Sequence, residues 1–441
     1  MKRLSIALFT VFFILSATTL FAAPAVKELN ILWAQWDPAD YLQRLCNMYE
    51  KETGIKVKVI QEPWGSFGDR FYTAMAAKGS EWDMVVGDSQ WLGTGATSGQ
   101  YIQLTDFLKK TGLLNSVTPA TLRFYGEYPA NSAKYWAFPT EGDAVGFAYR
   151  KDLFENAKEK AAFKAKYGYD LAVPKTYKEL YNVAEFFTRK DKGLYGLAIY
   201  TQKDYDAITM GVECALFSYG VEWQDKNNNV MGVINSKKAI EALQMYRDLF
   251  TKFSPPGLSN AFFAEMNDVF INGKAAIIMN FFAFFPALSN KRTNPNYWDK
   301  VGFFFNPAGP YGDQYSALGG QGLSIISYIS PERQKASLDW LKWFGQEKIQ
   351  AKWAELGGYT CNSKVLKSQT FLKAQPFNPA FAKTMTIVKD FWNIPAYGPL
   401  LSSAQAAFHK FVVEGVGTPQ EPMDNLAKEH DKILKAGGYI K

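Results

Sequence analysis

From Leu29 to Leu32 an apolar run leads into Trp33, Gln35 and Trp36, and Asp37-Pro38 follows, a pair suited to a helix N-cap and first helical position. A strand that turns into a helix is predicted there. Ile55 to Ile60 (IKVKVI) alternates apolar and lysine positions as a half-buried strand does, and Trp82 to Val86 (WDMVV) is a further apolar run. Helical spacing over Phe67 to Lys78 separates the two. Strand, helix, strand, helix, strand predicts an α/β fold with parallel pairing. Further strands are predicted at Gly146 to Tyr149 (GFAY), Gly196 to Tyr200 (GLAIY) and Ala275 to Asn280. Thr176 and Glu179 form the capping box of a helix whose apolar face is Leu180, Val183, Ala184 and Phe187. Ser236 to Lys252 is amphipathic, Ser330-Pro331 opens another helix, and Gly357-Gly358 stops its successor.

In open α/β sheets, ligands lie beyond the carboxyl ends of the strands. After the first strand stand Trp33, Gln35 and Trp36, after the second Glu62, Pro63 and Trp64, and after the third Asp88, Ser89, Gln90 and Trp91. Three successive ends each set an indole beside polar side chains. Flat apolar faces ringed by carboxylates and amides suit a ligand with C–H faces and many hydroxyls, which is a sugar.

The start of the chain adds a destination. Met1-Lys2-Arg3, a mostly apolar Leu4 to Leu20 and small residues at Ala22, Ala23 and Ala25 read as a secretory signal peptide, with no cysteine near the cleavage site to carry a lipid. The expected location is the periplasm, with no stable membrane insertion. At 441 residues, 47% hydrophobic, the chain can fill two cores. The net charge of +7 is spread over helix faces with no basic run, which excludes a nucleic-acid partner. Cys46, Cys214 and Cys361 give neither a disulfide framework nor metal spacing. His409 and His430 sit in amphipathic, lysine-flanked segments, which argues against a histidine metal site or a Ser/His/Asp triad. No cofactor and no metal are expected.

Tyr135 to Glu155 (YWAFPTEGDAVGFAYRKDLFE), Pro174 to Thr188 (PKTYKELYNVAEFFT), Ala275 to Phe282, Leu318 to Ile325 (LGGQGLSI) and Trp353 to Tyr359 (WAELGGY) occur in an order and spacing that resembles one family. That family is the extracellular solute-binding proteins of bacterial carbohydrate ABC importers, which includes the maltose-binding proteins. The chain departs from it at Gln321, where an aromatic is common, and at Thr360, Cys361 and Asn362, where Pro and Arg are frequent. The resemblance implies a two-lobe periplasmic-binding-protein fold of type II, with a ligand cleft between α/β lobes. Residues 1–22 are expected as signal peptide, with cleavage after Ala22 or Ala25, and the expected lobes are 26–139 with 301–347 as the N-terminal one and 143–300 with 348–441 as the C-terminal one. The resemblance implies a monomer that hands a sugar to the transmembrane subunits of a permease, without catalysis. Carried over residue by residue, it adds Glu141 and Asp143 at the crossing between lobes, Tyr200, Gln202 and Trp223 from the second lobe, Asn280 with Phe282, Gly320 with Gln321, and Tyr397. These join Gln35, Trp36, Trp64, Asp88 and Trp91 as expected ligand-binding residues.

Two other readings compete. A secreted glycoside hydrolase needs two carboxylates facing each other across the scissile bond, and Glu141 and Asp143 are the candidate pair. A two-lobe binder of a charged solute such as iron or a polyamine needs paired tyrosines or a dense acidic cluster, where the sequence shows tryptophans and amides.

Overall fold

A computed structural model describes residues 26–204 and 206–440, so the expected signal peptide lies outside the described residues. Two mixed sheets, each covered by helices, carry the fold. In the first, β1 (Glu28–Ala34) is flanked by β2 (Lys56–Glu62) and β3 (Met84–Asp88), both parallel to it. The sheet continues to β4 (Phe138–Glu141) only through β10 (Gln321–Ile325), which runs antiparallel to both β3 and β4. In the second, the order is β6 (Tyr195–Ala198), β7 (Ala275–Phe281), β5 (Val145–Arg150), β8 (Val301–Phe305), with only β6 and β7 parallel.

The chain crosses between the sheets at several points that lie side by side. Glu141 of β4 is joined to Val145 of β5 by three residues. The return path passes through β9 (Ser316–Ala317), which pairs in parallel with β11 (Val388–Lys389) on another crossing. Gly319 donates its N–H to the Asp143 carbonyl at 3.0 Å, and Gly142 donates to the Tyr359 carbonyl at 2.6 Å. These few peptide bonds are the hinge.

Two segments sit on the other side of the hinge from where the sequence reading puts them. Residues 301–305, expected in the first lobe, form β8, which pairs with β5 in the second sheet. Helix Glu347–Leu356, mostly expected in the second lobe, packs on helix Asp37–Thr53 of the first.

The tryptophans after β1 divide their roles by position. Trp33 is the penultimate residue of the strand and is wholly buried, 6.3 Å from the equally buried Trp353. Truncating such a ring to Ala costs about 3–5 kcal/mol. Trp36, three residues on, is the N-cap of helix Asp37–Thr53, half-buried, with its ring edge-on to Trp33 at 5.7 Å. The capping box at Thr176 and Glu179 is present and opens helix Tyr177–Phe187. Helix Trp64–Ala76 begins earlier than the apolar spacing predicts, so Trp64 is its first residue rather than a loop residue.

Candidate functional site

Because β1, β2 and β3 run parallel, their carboxyl ends open on one edge of the first sheet. Trp36, Trp64, Asp88 and Trp91 all line a cleft of about 610 Å³ there, within the roughly 300–1,000 Å³ of ordinary ligand pockets. The indoles are braced in series: Trp64 stands edge-on to Trp36 at 5.4 Å, and Trp91 stacks on Phe71 at 5.1 Å with the planes 8° apart. Such packing fixes the rings before a ligand arrives, which lowers the ordering cost of binding. Asp88 is oriented by a relay in which the Trp33 indole N–H donates to Gln321 and the Gln321 amide donates to Asp88, each at 2.5 Å.

The hinge supplies the floor. Asp143, 2% exposed, accepts from the backbone N–H of Ala144 at 2.8 Å and of Ala283 at 3.3 Å. Burial pushes its carboxyl up to about 8 against the opposition of those N–H donors. Leu318, Gly319 and Gly320 line the cleft beside it. A Cβ on Gly320 would stand 1.9 Å from the Tyr125 hydroxyl oxygen, so this glycine is required by packing as much as by ligand approach.

The second lobe faces this with Gln202, Asp204 and Asp206 beyond the carboxyl end of β6, Phe281 at the end of β7, and Phe262, Phe263, Phe284 and Glu265 beside it. Phe263 and Phe284 stack at 4.1 Å and 5°. Tyr397 comes from the start of helix Tyr397–Val412.

Other expected site residues lie elsewhere. Gln35 is exposed, and its backbone N–H completes the β1–β2 pairing at Glu62. Glu141 is buried behind the hinge, where its carboxyl accepts from the Tyr359 N–H; burial, then the nearby Asp143, pushes its pKa well above the usual range. Tyr200 and Asn280 bond each other at 2.6 Å in the core of the second lobe. Trp223 donates to Glu213 at 2.5 Å and packs on Trp392 at 4.4 Å, away from the cleft. Phe282 is buried against Phe285 and Phe381, so its neighbour Phe281 is the ring that faces the cleft. Gln321 acts through Asp88 rather than lining the cleft itself.

The sequence signature of the bacterial extracellular solute-binding proteins matches residues 35–351. The chain belongs to that family. A probable ABC transporter-binding protein of Deinococcus radiodurans is 26% identical to this solute-binding protein over 382 residues, 82% of this chain and 84% of that one. Among solved structures, a solute-binding protein of Agrobacterium radiobacter K84 in complex with ribitol superposes with a TM-score of 0.77 at 24% identity, covering 93% of this chain and 99% of that one. Maltose-bound MalE3 of T. maritima also gives 0.77 at 24%, covering 92% and 100%. These likenesses establish the two-lobe fold.

The charge of the solute-binding protein's cleft departs from that of the chain. The whole sequence is net positive, yet the charged lining residues are all acidic: Asp69, Asp88, Asp143, Asp204, Asp206 and Glu265. Tryptophans and amides are the expected lining from the sequence, and the acidic residues come together only in the fold. The expected lining after β6 stops at Gln202, two residues short of Asp204. Asp206 precedes a helix, where an aspartate ordinarily caps the N-terminus. It is the N-cap of helix Ala207–Ser218, but its side chain makes no capping hydrogen bond. Its carboxylate instead accepts from the Gln90 amide of the opposite lobe at 3.3 Å. Burial, and then the like charges of Asp88 and Asp390, push its pKa well above the usual range.

Proposed function

We propose that this protein captures a sugar or sugar alcohol between its lobes and delivers it to the permease of an ABC importer. The single observation that carries the reading is the cleft itself: indole and phenyl faces from both lobes enclose a floor rich in hydrogen-bond acceptors. Aromatic faces cover the C–H faces of a pyranose or the backbone of a polyol, and carboxylates accept pairs of hydroxyls in strong charge-assisted bonds. The ribitol and maltose held by similar structures support the same solute class. Export to the periplasm as a monomer without a lipid anchor completes the proposal. So do lobes divided at the hinge, with 301–305 joined to the second and 347–356 to the first.

The mechanism is ligand-coupled closure. A solute that touches both walls gains its full contact energy only when the lobes are together, so it shifts the population toward the closed form that the permease would engage. A micromolar affinity corresponds to about −8 kcal/mol. The hydrolase alternative lacks its geometry, because Glu141 lies behind the cleft and cannot face Asp143 across a glycosidic bond. Titration calorimetry and intrinsic fluorescence of the mature protein against monosaccharides, polyols and oligosaccharides test the reading. Saturable binding of one of them, recovered unchanged, supports it; silence across the whole panel overturns it.

A further inference from the structure

The acidic lining narrows the solute further. Asp143 and Asp206 are each more than nine-tenths buried, and both line the cleft. Among the described residues, the groups that face the Asp206 carboxyl are Asp88, Asp390, Glu213, the Tyr397 hydroxyl and the Gln90 amide, none of them a cation. Asp390 itself is 7% exposed and lies at the crossing segment that follows β11. Asp88 of the first lobe, Asp206 of the second and Asp390 of the hinge segment thus bring carboxyl groups of like sign near one another, with Asp88 and Asp206 lining the cleft and Asp390 outside its lining. Among the described residues lining it there is no lysine, arginine or histidine.

Burial disfavours the ionised forms of Asp143 and Asp206; a neutral solute leaves that cost in place, whereas an ammonium beside Asp206 favours its ionised form and pairs with it. The aromatic walls are also suited to a cation, because the ring face is the negative pole of the quadrupole. Among the described residues, no three His, Cys, Asp or Glu side chains are grouped as a metal ion requires, which favours an organic cation over a metal. The organic cation that fits is one large enough to span the aromatic walls.

We infer that the solute is a cationic carbohydrate, an amino sugar or an oligosaccharide bearing a free amine, whose ammonium sits between Asp206 and the Asp88 end of the cleft while its ring faces lie on the indoles. This rests on the sugar reading above and adds the charge. The amine replaces the missing lysine or arginine as the counter-ion of Asp206, and the exposed Asp69, Asp204 and Glu265 at the rim draw it in.

The test is calorimetry of the mature protein at pH 7 with matched pairs and triplets: glucose, glucosamine and N-acetylglucosamine; galactose, galactosamine and N-acetylgalactosamine; and chitobiose against its de-acetylated form. Spermidine serves as a cation without a sugar. The inference expects the amine-bearing member of at least one set to bind about tenfold or more tighter than its neutral partner, as a low-dielectric charge pair allows. N-acetylation removes that advantage, and Asp206→Asn brings the amine-to-neutral ratio toward one in a variant whose circular dichroism and melting remain cooperative. A neutral sugar that binds as tightly as its amine counterpart overturns the inference and leaves the sugar reading standing. Binding of spermidine with no response to any sugar overturns both, and so does silence from the whole panel.

Discussion

Gln90 and Asp206 are hydrogen-bonded across the mouth of the hinge, the amide from the segment after β3 and the carboxylate from the N-cap of a second-lobe helix, 3.3 Å apart. The contact joins the lobes directly, side chain to side chain. It biases the free protein toward the closed form, and it occupies a carboxylate that a solute would otherwise take.

Replacing Gln90 with Ala removes this latch. A single hydrogen bond contributes about 1 kcal/mol net. The variant is expected to open in solution, read as a larger radius of gyration by small-angle scattering without ligand, while a saturating solute restores the compact value. A radius unchanged from the parent protein would show that the bond does not hold the lobes.

The indole wall is expected to dominate affinity. Trp64→Ala deletes a half-buried ring that lines the cleft and braces Trp36, and should weaken binding about tenfold, in line with ring pairs worth about 0.5–1.5 kcal/mol beyond their area. Gln35→Ala, at an exposed position whose backbone alone is engaged, should leave the dissociation constant within about twofold of the parent. Calorimetry on the two variants side by side checks both.

Adjacent glycines should fail in different ways. A Cβ at Gly320 meets the Tyr125 hydroxyl oxygen at 1.9 Å and the Glu141 carbonyl at 2.2 Å, both within the folded hinge. Gly320→Ala is therefore expected to cost stability, by about 1–3 kcal/mol for overpacking, read by denaturant melting. A Cβ at Gly319 meets the Phe281 ring at 2.3 Å, and that ring lines the cleft. Gly319→Ala should displace the phenyl and show mainly as lost affinity.

Buried acids set the pH dependence of the ligand-free protein. Burial pushes Asp143 to about 8 and Asp390 to about 7 from 3.8, with Ala144, Ala283 and Phe282 N–H groups opposing the shift at the first, and the Ser89 hydroxyl and Phe391 N–H opposing it at the second. Glu141 faces Asp143, while Asp88, Asp206 and Glu213 face Asp390. A raised folded pKa means that the native state holds more protons than the unfolded chain, so stability falls as pH rises through that value. His430, lowered to about 4 by burial, acts oppositely below its unfolded value of 6.5. The melting temperature should therefore fall between pH 6.5 and 8, and Asp143→Asn should flatten that slope.

Much of the first wall was legible because strand direction alone decides it. Parallel β1, β2 and β3 must present Trp36, Trp64, Asp88 and Trp91 at one edge, whatever else surrounds them. The second wall depends on details finer than periodicity. β7 ends at Phe281, whose ring lines the cleft, and Phe282 begins the turn that follows, where its ring is buried against Phe285 and Phe381. Tyr200 and Asn280 satisfy each other inside the core, a pairing between positions eighty residues apart that no local pattern encodes. Asp206 carries no sequence signal beyond its place before a helix, and only its bond to Gln90 of the other lobe reveals its role. The two misplaced lobe segments are each placed by a distant partner rather than a local pattern: β8 by its pairing with β5, and helix Glu347–Leu356 by its packing on helix Asp37–Thr53.

The position of β10 also fixes when the first lobe can be finished. Residues 321–325 fill the gap between β3 and β4, so a chain made from its N-terminus holds an incomplete sheet until most of its length has been synthesised. Until then the facing edges of β3 and β4 have no partner, and the fold cannot lock. The first lobe is thus closed by a strand made only after β5, β6, β7 and β8 of the second.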